Sequence, residues 1–240
     1  MRLCRSPSQQ HRQQTSCSGK ITTPSRCDGP LSEVTPPEVA PLEVTLLERP
    51  DDIRIVRILS PEGATPYRAS FVGAYQTIFS MPPYNERFTP EEAKGVLHRS
   101  LHTPEHLTLL AIKGKRQVVG FGFAVPVMAR RDITRELSGL IPLRHSFYLA
   151  ELGVLESARG TGLGSMLVRQ RLENIDTDRY THVVLRTSAT KTTSYNMYLR
   201  LGFDDMGVYM EVPSLRQDGR ETTDRRLFLS RVLGAPDLID

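Results

Sequence analysis

The segment Ala158-Arg159-Gly160-Thr161-Gly162-Leu163-Gly164-Ser165 carries the clearest chemical signal in the chain. Glycines alternate with other residues after an arginine, between an apolar run and an amphipathic one. A strand that enters such a turn and leaves as a helix aims backbone N–H groups and the positive end of the helix dipole at one spot. That spot suits a phosphate or pyrophosphate, because without β-carbons the main chain can come close, and Arg159 adds a permanent positive charge. Spacing separates the motifs that share this geometry. A Walker loop ends in G-K-[ST], whereas Gly164-Ser165 lacks the lysine. The dinucleotide fingerprint G-x-G-x-x-G, counted from Gly160, needs glycine where Ser165 stands, and it normally opens a parallel-sheet domain instead of lying two thirds of the way along. What is left is R-x-x-G-x-G, spelled by Arg159, Gly162 and Gly164.

Such a turn needs a strand before it and a helix after it. Residues 147–155 are apolar and β-prone, and in 162–175 Leu163, Met166, Leu167, Leu172 and Ile175 fall toward a core. Upstream, 53–59 reads as a first strand and 64–80 as a helix with Phe71, Ala74, Tyr75 and Ile78 at helical spacing; Met81-Pro82-Pro83-Tyr84-Asn85 breaks it. Thr89, Pro90 and Glu92 spell a capping box for a second helix. Residues 106–112 and 117–127 form a hairpin around Gly114, and 130–144 is a polar connection with room for a helical turn. After the turn, 182–186 is a strand and 193–201 a helix stopped by Gly202. Residues 208–212 and 227–233 supply the last strands, separated by a polar loop at 213–225. The expected order is β-α-α-β-β-β-α-β-α-β-β: one α/β domain, α+β in character, with helices on the faces of a mixed sheet.

With Glu151-Leu152-Gly153-Val154-Leu155 ahead of the turn, and Tyr198-Leu199-Arg200-Leu201-Gly202-Phe203 matching Y-x-x-x-G-F after it, the chain resembles the GNAT superfamily of acyl-CoA N-acyltransferases over residues 53–233. The resemblance implies that fold, and an acetyl-CoA-dependent N-acetyltransferase acting on a primary amine of a small molecule, peptide or protein. It implies that the donor's diphosphate sits on the N–H groups of Arg159, Gly160, Thr161, Gly162, Leu163, Gly164 and Ser165. The pantetheine arm would run along Leu152, Gly153, Val154 and Leu155 like an added strand, with Gly153 easing the close approach. Tyr198 is the candidate acid for the departing thiolate, since a phenol of pKa near 10 can give a proton and regain it from water. Packing at a helix end is its bland alternative. Glu151, on the strand face of Gly153 and Leu155, is the candidate base, acting through water; a structural carboxylate held by Arg or Lys is the alternative. Many relatives have an asparagine where this chain has Lys191, so that role passes to Thr192 or Ser194 or is absent, and Lys191 reads as a solvated lysine, with contact to a CoA phosphate as its alternative. The acceptor is expected beside residues 79–88, with Tyr84, Asn85 and Glu86. Asp132 and Glu136 form a second wall suited to a cationic amine, and His145 is expected to be structural. A non-catalytic acyl-CoA-binding sensor of the same fold is the competing function.

Composition narrows the partners. A chain of 240 residues that is 39% hydrophobic has room for one generous domain. No apolar stretch reaches the roughly 20 residues of a spanning helix, so no membrane span is expected. The net charge is +4, yet residues 1–27 hold five basic groups and no acid, leaving 26 basic against 27 acidic residues elsewhere. The basic balance describes a tail, which argues against a nucleic-acid footprint on the folded domain. Cys4, Cys17 and Cys27 are an odd number without a C-x-x-C pair, so neither a disulfide framework nor a zinc site is expected, and no metal. With no cysteine after 27, a thiol nucleophile is excluded. Residues 1–50, rich in Ser, Gln and Pro, are expected to be disordered ahead of a domain at 51–235. The tail has the Arg and Ser content of an organelle transit peptide but no secretory apolar core, and the expected location is cytoplasmic. Association as a homodimer is left open by the sequence.

Overall fold

Eight strands form one sheet in the order β1-β2-β3-β4-β5-β6-β8-β7. The computed structural model describes residues 43–49, 51–190 and 192–234. In chain order these comprise β1 (Glu43–Glu48), β2 (Ile53–Ile58), α1 (Arg68–Ser80), α2 (Pro90–Leu101), β3 (Leu107–Lys113), β4 (Gln117–Pro126), the short α3 (Arg131–Glu136), β5 (Ser146–Val154), α4 (Leu163–Glu173), β6 (His182–Ser188), α5 (Thr193–Arg200), β7 (Asp204–Leu215) and β8 (Glu221–Val232). All neighbouring strands are antiparallel except β5 and β6. Parallel neighbours need a crossover, and α4 provides it.

The local signals act as their chemistry requires. Thr89 Oγ1 accepts from Glu92 N (3.2 Å) while Glu92 Oε2 accepts from Thr89 N (2.7 Å), a complete capping box worth about 1 kcal/mol. Phe71, Tyr75, Ile78 and Phe79 of α1 are buried at helical spacing against Phe121 and Phe123 of β4. On the opposite face, Leu163 and Leu167 of α4 pack on Ile55, Leu109 and Val119. Tyr195 and Tyr198 of α5 pack with Val168, Leu185 and Phe203 on that same side. Alternation along β2 fixes this division, since Ile55 joins the α4 cluster and Val56 the α1 cluster.

Two expectations need correction. Strand β1 lies inside the segment read as disordered up to residue 50, so the folded domain starts no later than Glu43. It is an edge strand with β2 as its one neighbour, and only Leu46 and Leu47 touch the core. Six residues with so little apolar payload carry no local signal; pairing with β2 orders them. The second correction concerns residues 213–225, which are mostly strand: β7 and β8 form a long hairpin turning at 216–220. Between 213 and 226 its inward residues are polar or ionic, with Arg226 on Asp224 (3.0 Å) and on Glu86 (2.7 Å), so apolar periodicity could not reveal that part of it. Pro213 is tolerated because β7 is the sheet's edge.

Candidate active site

Strand β5 is bonded to β4 along its length, from Phe147 opposite Pro126 to Val154 opposite Gly120. Toward β6 its pairing runs from Ser146 opposite His182 to Leu149 opposite Leu185, and there it ends. The register against β4 shifts at the same place, leaving Ala150 as an extra residue between Leu149 and Glu151. A bulge bends its strand and re-aims the side chains beyond it. Past the bulge, Leu152 and Val154 face α4, while Glu151 and Gly153 face α1. The edge of 150–154 that faces away from β4 has no strand partner among the described residues, which fits an extended ligand chain seeking main-chain hydrogen bonds.

Gly160 (φ +76°) and Gly162 (φ +80°) adopt the left-handed conformation that makes the turn after β5, and Gly162 caps α4. The first helical bond there runs from Met166 N to Gly162 O (3.0 Å), so the N–H groups of Leu163, Gly164 and Ser165 are the unspent donors of a helix start. Arg159 is exposed, its Nε donating to Val154 O (3.2 Å). These features fit a diphosphate. At Gly164 a β-carbon would meet Met197 Sδ at 3.5 Å, an ordinary contact, so packing alone does not demand glycine there. At Gly153 a β-carbon would lie 2.4 Å from Phe121 Cζ. Its bare face receives an aromatic ring of the core.

Where β5 and β6 part, a cavity of about 850 Å³ opens, and both Glu151 and Tyr198 line it. Glu151 is half-buried because one side opens on the cavity, with protein on the others. Burial pushes its carboxyl up to about 7; Glu86 pushes the same way, while Arg130, Arg186 and Arg99 pull it down. The Tyr75 hydroxyl faces it from α1 and is itself raised by burial. Tyr198, 6% exposed, is set by the end of α5: Phe203 N donates to its carbonyl (3.1 Å), Gly202 turns left-handed (φ +75°), and the Phe203 ring packs edge-on at 5.6 Å. Burial pushes its phenol up to about 12, against the pull of Arg171.

The acceptor side differs in charge from the expected acidic wall. Asp132 lines the cavity but is held by two Arg130 bonds (2.9 and 3.1 Å), with Arg186 at 3.5 Å. Glu136 pairs with Arg135 (3.2 Å) and is not in the lining. Glu86 and Tyr84 line it, and Glu86 is taken by Arg226. Asn85 instead gives its carbonyl to Gln217 N (3.0 Å). His145 bonds Arg179 O (3.0 Å), outside the cavity. Thr192 caps α5 through Tyr195 N, Ser194 opens on the cavity, and Lys191 lies outside the described residues, as do the three cysteines.

Several residues at the site escaped the sequence. Arg49, just after β1, donates to Thr161 O (3.2 Å) and Met166 Sδ (2.9 Å) while paired with Asp51 (2.9 Å), tying β1 to the glycine turn from over a hundred residues away. No local pattern announces that. Arg171 is completely buried on α4, and for it a signal exists: it continues the stripe of Leu163 and Leu167 at a spacing of four, where an apolar residue belongs.

A family model described as Acetyltransferase (GNAT) family matches residues 72–203, more than half the chain. The chain belongs to the GNAT acetyltransferase family, and thereby to the acyltransferases. Solved structures share its fold. A ribosomal-protein-alanine N-acetyltransferase from Brucella melitensis is 18% identical, with 69% of this chain and 94% of that one covered and a TM-score of 0.51. An N-acetyltransferase from Staphylococcus aureus Mu50 is 14% identical, with 75% and 98% covered and a TM-score of 0.53. A GNAT-family acetyltransferase from Streptococcus pneumoniae is 16% identical, with 76% and 99% covered and a TM-score of 0.52. At such identities the likeness concerns the fold. A comparison with curated proteins gives no significant match.

Proposed function

We propose that the protein transfers an acetyl group from acetyl-CoA directly to a primary amine, with Glu151 as base and Tyr198 as acid. The observation that carries this is that both side chains line one cavity where β5 leaves β6. The donor's diphosphate is assigned to the N–H groups of residues 159–165, helped by Arg159. Its pantetheine arm is assigned to the free edge of Leu152, Gly153, Val154 and Leu155. Bound there, the donor supplies a thioester whose carbonyl carbon is open to a nucleophile.

An amine attacks only when neutral, and at pH 7 most primary amines are protonated. A carboxylate with a pKa near 7 is ionised in about half the molecules at that pH, and is basic enough to take the ammonium proton directly or through water. Tyr198 faces the opposite need. A thiolate is a stronger base than a carboxylate, and a phenol can deliver a proton to it as the carbon–sulfur bond breaks, then recover one from water. Acid and base are thus divided between two elements, β5 and α5, that the split brings to one space.

The test is thiol release from acetyl-CoA with lysine, kanamycin and an alanine-headed peptide as amines, by the wild type and Tyr198→Phe. Turnover is expected to fall at least tenfold in the variant with acetyl-CoA affinity nearly unchanged. Equal turnover in the two proteins would remove Tyr198 as the acid. Tight acetyl-CoA binding without thiol release to any amine would favour a sensor.

A further inference from the structure

Arg171 is an unusual residue to find under a sheet. Its side chain is 0% exposed, and among the described residues no carboxylate oxygen lies within ion-pair distance of it. Nε donates to Leu167 O (3.1 Å), and Nη1 donates both to Phe123 O (3.1 Å) and to Glu151 O (3.0 Å), the two residues opposite each other at the bulge. Nη2 is buried with no hydrogen-bond partner. The titratable groups that face the guanidinium are the Tyr198 hydroxyl from α5 and Glu151 from β5. Room for it is made by Gly122 on β4, where a β-carbon would stand 3.0 Å from Nε and 3.2 Å from Cζ.

Burying a cation without a counter-ion costs several kcal/mol, and a leucine or methionine would continue the stripe of α4 without that cost. The arrangement makes sense if the charge is used. We propose that Arg171, anchored on the carbonyls of Phe123 and Glu151, is a positioning residue for acyl transfer that holds a positive charge against the Tyr198 hydroxyl while that phenol gives up its proton. The proposal rests on Tyr198 being the acid. As the amine nitrogen bonds to the acetyl carbon, the carbon–sulfur bond breaks and its electron pair goes to sulfur. Sulfur takes the Tyr198 proton, the amine's surplus proton goes to Glu151 after that carboxyl has passed the earlier ammonium proton to water, and the phenolate is re-protonated by water. Between those last events Tyr198 is an anion in a buried place. The other titratable groups facing it, Tyr84 from the α1–α2 loop and Tyr148 from β5, are neutral phenols held protonated by burial; Arg171 is the charged group that favours the anion.

A double-mutant cycle on the full chain separates this role from packing. Thiol release from acetyl-CoA is followed with the fastest amine of the panel, or with water where none turns over, for Arg171→Met, Tyr198→Phe and the double variant. Arg171→Met is expected to lower kcat at least tenfold, shift acetyl-CoA affinity less than twofold, and have less than a twofold effect once Tyr198 is Phe. Arg171→Lys, which keeps the charge, is expected to recover part of the loss. An equal loss from Arg171→Met in both backgrounds, or the absence of any loss, overturns the proposal while leaving Tyr198 as acid. No loss from Tyr198→Phe alone overturns both. Should Arg171→Met fail to fold, Gly122→Ala, which presses on the guanidinium without removing it, carries the same comparison.

Discussion

Glu151 has its carboxyl pushed up to about 7 because the bulge at Ala150 turns it into the cavity beside Tyr75, and the arginines around it only partly offset its burial. Its ionised form is the useful one, so kcat/KM should rise as pH climbs through about 7. Glu151→Gln should abolish that limb and leave any limb due to the amine's own titration; a pH–rate profile on both proteins decides it. The same shift has a consequence for stability. The folded carboxyl holds its proton more tightly than the unfolded one, so its stabilising contribution is complete below about 4.5 and is lost as pH rises through about 7. Glu151→Gln should therefore gain in melting temperature over the wild type across that window and stay ahead at pH 8. The gain has an upper bound of about 3 kcal/mol, reduced by whatever water the cavity admits. Equal melting curves at pH 8 would show a solvated carboxylate instead.

At the scale of elements, the site is made by a strand that stops pairing and a helix that starts beside it. Gly153 is needed for the first. Its Cβ position is occupied by Phe121, which is locked among Phe71, Tyr75 and Phe79, so Gly153→Ala should destabilise by about 1–3 kcal/mol through overpacking. Thermal melts should show Phe121→Leu recovering part of that loss in the double variant. Gly162 is needed for the second. At φ +80° an alanine pays about 1–2 kcal/mol and tilts the first N–H groups of α4, so Gly162→Ala should weaken acetyl-CoA binding in calorimetry as well as lower the melting temperature. The glycine turn was legible from spacing alone because its requirements are local: backbone conformations that glycine adopts freely, and a helix start. Gly153 was legible as a close approach but not as to what approaches, since Phe121 comes from another strand.

For the molecule as a whole, β1 closes one end of the sheet and delivers Arg49 to the glycine turn near its middle. Comparing chains that begin at residue 43 and at residue 50, loss of the melting temperature and of acetyl-CoA affinity should both appear only in the shorter one; equal behaviour would make β1 dispensable. The sequence by itself determined the family fold, the element order from β2 to β6, the capping box and the glycine turn, because each depends on residues within a few positions of one another. It also brought forward Glu151 and Tyr198 through motifs. Only the tertiary structure decided that these two share a cavity, that Asp132 is neutralised by Arg130 and Arg186, that the polar stretch near 220 is a hairpin held by ion pairs, and that Arg171 lies beneath the acid and the base. Those facts concern which distant groups desolvate and charge one another. Burial and Coulomb energy follow distance in space, and spacing along the chain carries that distance only inside a single element.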